Sequence, residues 1–177
     1  MFDGTSRFSE LCLAALVVSI FAALAPLHAG DRAAVGSPAP RFVLDGIDGE
    51  AYDLRDVVKG NRVTIINFWA TWCPPCTSEL PEIGDLYNKM HVQGVALLAV
   101  NARQKAEVAR DFARDMNAKF PVLLDPGGVT TKSYLVDSLP VTFIVDQQGV
   151  IRQRIVGATN AQRLRSKILS VLNQDKH

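Results

Sequence analysis

The feature that most restricts the fold of this chain is a pair of cysteines placed where a buried strand gives way to a helix. The segment RVTIINFWA (62–70) is β-branched and aromatic, which is typical of a central strand with both faces covered. Cys73 and Cys76 follow at once, within TWCPPC. Apolar residues then recur every three or four positions, which predicts a helix over 75–92 with one buried face. The sequence therefore places both cysteines at the beginning of a helix, directly after a buried strand.

The rest of the chain alternates strands and helices, which predicts an α/β domain. The predicted order is a β-hairpin, a strand, a helix, a strand, a helix, a short extended segment, a short helix, a second hairpin and a terminal helix. Their bounds are 41–54, 62–70, 75–92, 94–102, 104–118, 120–125, 127–136, 141–157 and 160–174. Parallel β-α-β connections then give a central sheet flanked by helices, and the last hairpin adds antiparallel strands. The length of 177 residues suits one such domain.

Residues 1–29 have the order of an export signal. A polar stretch with one arginine precedes the charge-free apolar run 11–27, and small residues follow it. Cleavage after Ala29 would remove this segment, whereas 17 apolar residues also reach the lower limit of an uncleaved membrane anchor. Both interpretations export the rest of the chain, so we expect it in the periplasm or on the outer face of the cytoplasmic membrane. Residues 30–40 are predicted to be a linker to a domain spanning 41–174.

Charge and cysteine usage exclude several functions. The formal net charge is +1, which provides no basic surface for nucleic acid. Of the 3 cysteines, Cys12 lies in the export segment, so the exported domain retains only Cys73 and Cys76. A bridge between residues so close in sequence restrains almost no chain, which argues against a purely structural disulfide. We expect the domain to be a monomer.

Three other uses of a Cys-x-x-Cys pair fit the sequence poorly. A zinc site needs about four ligands, and His91 and His177 lack ligand spacing. Covalent haem attachment requires a histidine directly after the second cysteine, where this chain has Thr77. A peroxidase of the peroxiredoxin kind has threonine three residues before its cysteine, where Ala70 stands. No metal and no cofactor are therefore predicted. A copper-delivery module that uses the two thiolates as soft ligands stays an alternative.

The position at a helix start favours redox chemistry. Unpaired backbone N–H groups and the partial positive charge of the helix N-terminus favour a thiolate, so we expect a lowered pKa for Cys73. Cys73 is the predicted nucleophile, and Cys76, one turn later, resolves the mixed disulfide. Pro74 and Pro75 suit the first helical turn, where an N–H would have no partner, and they withhold two donors from the thiolate.

The segments NFWATWCPPCTSELP and LPVTFIVDQQG together resemble the TlpA/ResA-like thiol–disulfide oxidoreductases of bacterial envelopes, over residues 36–172. The resemblance implies a thioredoxin fold with an added N-terminal β-hairpin and a redox-active disulfide between Cys73 and Cys76. It also implies protein disulfides as substrates and a membrane partner as electron donor, and it favours a reductant, as in cytochrome c maturation. A disulfide-donating oxidase or isomerase is the alternative direction of the same chemistry.

The resemblance also assigns residues around the cysteines. It implies that Pro140 is a cis-proline, that Leu139 offers its backbone to a substrate strand, and that Trp72 lies beside the nucleophile. The specialised cytochrome-maturation members carry Gly-x-Pro-Glu at this loop, whereas here Ser138 precedes Leu139 and valine follows Pro140. The cytochrome substrate is therefore an open question at this stage.

A proton carrier for Cys76 is expected at Glu79. Ordinary thioredoxins have a buried aspartate on the central strand, and this chain has Asn67, which cannot exchange a proton. Glu79 lies three residues after Cys76 on the same helix face, and the TlpA/ResA group has a glutamate there. The alternative for Glu79 is a first-turn carboxylate that only interacts with the helix dipole.

Overall fold

The computed structural model describes residues 33–174. The predicted signal or anchor at 1–29 lies outside these residues, and within them no helix has the length and apolar character of a membrane span. The strands are β1 (Val43–Asp45), β2 (Ala51–Asp53), β3 (Val63–Trp69), β4 (Val95–Ala102), β5 (Val122–Asp125), β6 (Val141–Asp146) and β7 (Ile151–Val156). The helices are α1 (Leu54–Gly60), α2 (Pro74–Met90), α3 (Ala106–Asp115), α4 (Val129–Ser133) and α5 (Ala161–Gln174).

Five strands form one mixed sheet in the order β5-β4-β3-β6-β7. The β3, β4 and β5 strands run parallel, whereas β6 is antiparallel to β3 and β7 is antiparallel to β6. The central strand β3 is buried along its whole length, as its apolar run predicts. The sheet flanked by helices, with a separate two-stranded β1–β2 hairpin, confirms the predicted fold class.

The two faces of β3 belong to two different cores. Val63, Ile65 and Trp69 pack in one cluster with buried residues of α2, α3 and α5. Ile66 and Phe68 point the other way, into a cluster that includes residues of α1 and the α4–β6 connection. Because side chains alternate along a strand, Asn67 shares the face of the first cluster. This alternation puts a polar side chain of the central strand underneath α2.

The helix α1 was not predicted from the sequence. It has only seven residues, of which Leu54 and Val58 are buried, so it offers a single i, i+4 pair as a periodic signal. Its beginning is fixed locally by Asp53, whose carboxylate accepts a hydrogen bond from the Arg55 backbone N–H at 2.8 Å. The predicted hairpin at 41–54 is correct in type, and α1 follows it directly.

The chain before β1 lies along the free edge of β7. Gly36 N–H donates to the Ile151 carbonyl at 2.8 Å, and Ile151 N–H donates to the Ser37 carbonyl at 2.9 Å. The Tyr134 hydroxyl donates to the Pro40 carbonyl at 2.9 Å. The described part of the predicted linker is thus attached to the domain and covers a strand edge that would otherwise be open.

Candidate active site

Cys73 and Cys76 are joined by a disulfide at the N-terminus of α2, with their Cα atoms 5.3 Å apart. Cys73 is the N-cap residue and has extended backbone, and Pro74 and Pro75 occupy the first two helical positions. The helix therefore begins as the sequence predicts, with prolines where their missing N–H groups need no partner. The side chain of Cys73 is 4% exposed and that of Cys76 is fully buried. The more accessible sulfur thus belongs to the predicted nucleophile.

A second loop meets the disulfide from the neighbouring strand. The Leu139–Pro140 peptide bond is cis, the geometry that the family resemblance implies. In the sheet register Phe68 of β3 lies opposite Val141 of β6, so Pro140 stands level with the end of β3, where the cysteine loop begins. The Pro140 carbonyl accepts a hydrogen bond from the Gly157 N–H at 2.9 Å, which ties this loop to the end of β7.

Trp72 and Leu139 present different surfaces beside the disulfide. Trp72 is 66% exposed, a high value for a large aromatic residue. Leu139 is half-buried and contacts both hydrophobic clusters. Within the described residues, neither the N–H nor the carbonyl of Leu139 has a hydrogen-bond partner. The mouth of the site therefore combines an exposed ring with an unpaired backbone.

Glu79 is buried beneath the cysteines, one turn along α2. Its side chain is 4% exposed, and each carboxylate oxygen has one donor. Oε1 accepts from Asn67 Nδ2 at 3.2 Å, and Oε2 accepts from the Thr159 backbone N–H at 2.7 Å. Asn67 Nδ2 also donates to Thr142 Oγ1 at 2.9 Å, while Asn67 Oδ1 is buried without a partner among the described residues. β3 and the loop before α5 thus each donate to this carboxylate, and β6 is linked to it through Asn67.

Burial raises the pKa of Glu79 above its ordinary value of 4.5. The hydrogen bonds from Thr159 and Asn67 act in the opposite direction, and they do not outweigh the loss of solvation. The negative charge of Glu82 adds to the rise. No cation forms an ion pair with Glu79 in the described part of the chain. A carboxyl group in this state readily accepts and holds a proton.

The comparisons with known proteins agree with this geometry. Residues 35–154 match the AhpC/TSA family. Thiol-disulfide oxidoreductase ResA from Bacillus thuringiensis subsp. konkukian is 36% identical over 134 residues, 76% of each chain. The chain belongs to the ResA-like thiol–disulfide oxidoreductases of the AhpC/TSA family.

Solved structures place this ResA-like chain among similar folds. The crystal structure of StoA from Bacillus subtilis has a TM-score of 0.64 and 31% identity, covering 73% of this chain and 96% of that one. A Chlorobium tepidum crystal structure, described as a thiol:disulfide interchange protein DsbE, has a TM-score of 0.73 and 33% identity. It covers 78% of this chain and 98% of its own. The predicted family and thioredoxin-like fold are thereby confirmed.

A side-chain amide clamps the cysteine loop of this ResA-like chain, and sequence reasoning missed it. Gln104 Oε1 accepts from the Thr71 backbone N–H at 2.8 Å, and Gln104 Nε2 donates to Thr71 Oγ1 at 2.8 Å. Asn101 Nδ2 donates to the same Oε1 at 3.0 Å. The clamp joins the end of β4 to the residue before Trp72. Because these residues are over thirty positions apart, no local pattern announces it.

Thr142 and Thr159 were also missed as partners of the Glu79 network, since a threonine in a strand or loop carries no distinguishing signal. The sequence did single out the two central members of that network, Asn67 and Glu79, and the structure brings them into hydrogen-bond contact. Among residues 33–174, no group of three His, Cys, Asp or Glu side chains is arranged to hold a metal ion.

Proposed function

We propose that this chain is an exported reductase of protein disulfides that exchanges two electrons through Cys73 and Cys76. The observation that carries the proposal is a disulfide at the start of α2 next to a cis-proline loop with an unpaired backbone. Membership of the ResA-like oxidoreductases supports thiol–disulfide exchange. The direction of electron flow, the export and the substrate class are our inferences.

The reaction starts from the reduced dithiol. The Cys73 thiolate attacks one sulfur of a substrate disulfide, and the other substrate sulfur leaves as a thiol after taking up a proton. The Cys76 thiol then loses its proton and attacks the Cys73 sulfur of the mixed disulfide, which releases the second substrate thiol. The substrate has gained two electrons, and Cys73 and Cys76 have reached the bridged state of the structure.

Substrate docking is assigned to the cis-proline loop. The N–H and carbonyl of Leu139 are unpaired within residues 33–174, and an extended substrate segment can add to such a backbone by strand-like hydrogen bonds. In the register of β3 and β6 this backbone lies level with the beginning of the cysteine loop. The exposed ring of Trp72 supplies an apolar contact next to the reacting sulfur. Leu139, Pro140 and Trp72 are our proposed substrate-binding set.

Glu79 is the proposed acceptor of the Cys76 proton. It lies one turn after Cys76 on the buried side of α2, and burial raises its pKa, which increases its affinity for a proton. Asn67 cannot take this role, because an amide does not ionise. The first-turn alternative, a carboxylate that only stabilises the helix dipole, is disfavoured by burial, since an exposed position would serve that purpose at lower cost.

The cellular setting follows from the N-terminal segment. An apolar run at 11–27 would deliver the domain to the periplasm or retain it on the outer face of the cytoplasmic membrane. Its oxidised state must then be reduced again by a dithiol protein in that membrane. Apocytochromes c and other envelope proteins with disulfides are the proposed substrates, and the valine after Pro140 leaves room for a wider range than cytochromes alone.

The reduction potential of the cysteine pair tests the direction. Equilibrating the full chain with glutathione redox buffers should give a value near thioredoxin's, ~−270 mV. A value close to DsbA's, ~−120 mV, would instead make the chain a disulfide donor. A Cys12→Ser background removes the third thiol from the measurement without touching the pair.

The role of Glu79 is tested by the pH dependence of exchange. The rate of insulin-disulfide reduction, measured from acid to alkaline pH, should lose one titration step in Glu79→Gln while the far-UV circular dichroism stays native. Asp85→Asn is the matched control, because it removes an exposed carboxylate from the same helix that does not contribute to the pKa shift of Glu79. A wild-type profile in Glu79→Gln would exclude Glu79 as the proton acceptor.

A further inference from the structure

A small cleft lies beside the disulfide, between Trp72 and the chain that leads to the cis-proline. It has a volume of about 50 Å³. Buried Ala102 and Val136 give it an apolar lining, while Trp72 and Arg103 are exposed at its opening. Leu139, whose backbone is unpaired, also lines it. A side chain of a substrate that docks on this loop would therefore have the cleft within reach.

The position of Arg103 in this cleft is fixed by its backbone conformation and by two hydrogen bonds. Its φ angle is +58°, in the left-handed region that side-chain-bearing residues seldom adopt. Its N–H donates to the Asp125 carbonyl at 2.9 Å, which fixes this turn at the ends of two strands. At the far end of the side chain, Nη2 contacts the Val136 carbonyl at 3.4 Å. The Arg103 side chain is thus fixed at its backbone and at its guanidinium end.

Gly128 makes room for the Arg103 side chain. A Cβ at Gly128 would lie 2.8 Å from Arg103 Cγ and 2.9 Å from Nε, closer than real Cβ contacts come. Gly128 also has a φ of +66°, so both its backbone and its lack of a side chain suit this position. Gly128 therefore leaves the space that the Arg103 side chain occupies, although the two residues come from separate loops.

The guanidinium keeps most of its donors free. An arginine has five N–H donors, and within the described residues Arg103 uses its side chain only for the long contact to Val136. No described carboxylate forms an ion pair with it. Asp137 also lines the cleft and is exposed, so the cleft contains one charge of each sign. A neighbouring carboxylate of a substrate would meet attraction from Arg103 and repulsion from Asp137.

We propose that Arg103 is a specificity-determining residue that favours protein disulfides whose reacting cysteine has an acidic neighbour. The inference rests on the proposed function and names its substrate class. The apolar lining and the Trp72 ring suit the methylene groups of a glutamate, and the fork of the guanidinium suits its carboxylate. The electron transfer is unchanged: the Cys73–Cys76 dithiol becomes a disulfide, and the bridged substrate becomes two thiols. Arg103 acts only on which disulfide is docked.

The test compares two peptide substrates that differ in charge alone. One is the symmetric disulfide of Ac-Ala-Glu-Cys-Glu-Ala-amide, and the other has glutamine in place of both glutamates. The full chain, pre-reduced and carrying Cys12→Ser, is mixed with each peptide, and the released peptide thiol gives the second-order rate constant. In Arg103→Gln the ratio of the Glu to the Gln rate constants should fall about fivefold, the upper range for a partly exposed ion pair. Asp137→Asn should raise the same ratio.

Controls separate the cleft from general charge effects. Arg110→Gln removes an arginine from the exposed face of α3 and should leave the ratio unchanged. Arg103→Lys keeps the charge and should keep most of the preference, and high salt should reduce the preference of the unsubstituted chain. Equal loss of both rates in Arg103→Gln, or an equal change in Arg110→Gln, would overturn the inference and leave the proposed function standing. Failure of the unsubstituted chain to reduce either peptide would instead overturn the proposed function, and this inference with it.

Discussion

Two buried carboxylates in this domain are stabilised very differently. Asp146, at the end of β6, is 1% exposed and forms an ion pair with Arg152. It also accepts backbone N–H groups from Gln148 at 3.0 Å and Val150 at 2.8 Å. Glu79 is 4% exposed, has two neutral donors and lacks a cation among the described residues. The first carboxylate is fully compensated, and the second is not.

The difference separates a structural acid, Asp146, from Glu79, the acid that we propose exchanges a proton. The donors of Asp146 come from the turn that it closes, so its charge holds β6 and β7 together. The donors of Glu79 come from Asn67 and Thr159, and burial still raises its pKa. Asp146 is surrounded by a cation and two N–H groups, whereas Glu79, beneath the disulfide, has no cation among the described residues. A carboxyl group left in that state is suited to exchanging a proton.

The largest expected effect is on the structural acid. Asp146→Ala leaves two backbone N–H groups and the Arg152 guanidinium without their partner, and it should lower the free energy of unfolding by roughly 3 kcal/mol. Urea unfolding of the oxidised protein measures this loss. As a control, Asp111→Ala removes an exposed ion pair with Arg114 and should change stability by less than about 0.5 kcal/mol. Equal midpoints for the two variants would contradict the assignment of Asp146.

Asn67→Asp should place a second carboxyl group next to that of Glu79. The new carboxylate would stand where Asn67 Nδ2 now lies 3.2 Å from Glu79 Oε1, and two like charges cannot both ionise cheaply at this distance. We expect the free energy of unfolding to fall by roughly 2 kcal/mol at neutral pH. It should recover at acid pH, because the pair of carboxyl groups then takes up a proton. Urea unfolding across pH checks both parts. A loss that does not depend on pH would mean that the amide acts only through packing.

Glu79→Gln should change stability less than Asn67→Asp. The pH dependence of this change should be opposite to that of removing a salt-bridged acid. The folded pKa of Glu79 is raised, so its contribution to stability is greatest below the ordinary pKa of 4.5 and is lost as pH rises through the folded pKa. The glutamine variant should therefore gain on the unsubstituted protein as pH increases from acid to neutral. A stability difference that stays constant with pH would show that Glu79 does not titrate differently in the folded state.

The sequence predicts structure correctly where a long hydrophobic pattern or a residue with a strong conformational preference determines it. The β3 run predicts a central strand and TWCPPC predicts a helix start with two prolines, and both are observed. Asn67 and Glu79 were each singled out, but the hydrogen bond between them was not predicted. Sequence reasoning failed for α1, whose seven residues are too few for a periodic signal. It also failed for Gln104, whose partner Thr71 comes from another loop. Contacts between separate loops depend on the folded arrangement, and no local rule contains them.

The smallest effect is expected for the neutral end of the Glu79 network. Thr142 Oγ1 is buried and accepts from Asn67 Nδ2 at 2.9 Å, so Thr142→Val removes one hydrogen bond and should lower stability by about 1 kcal/mol. Because the lost bond joins two uncharged groups, this loss should be the same at every pH, unlike those of Asn67→Asp and Glu79→Gln. Thr142→Ser restores the hydroxyl and should recover most of the stability, which separates the hydrogen bond from the shape of the side chain. A loss in Thr142→Val that varies with pH would instead show that the threonine changes the proton affinity of Glu79. The groups that set this proton affinity would then include β6 as well as Asn67.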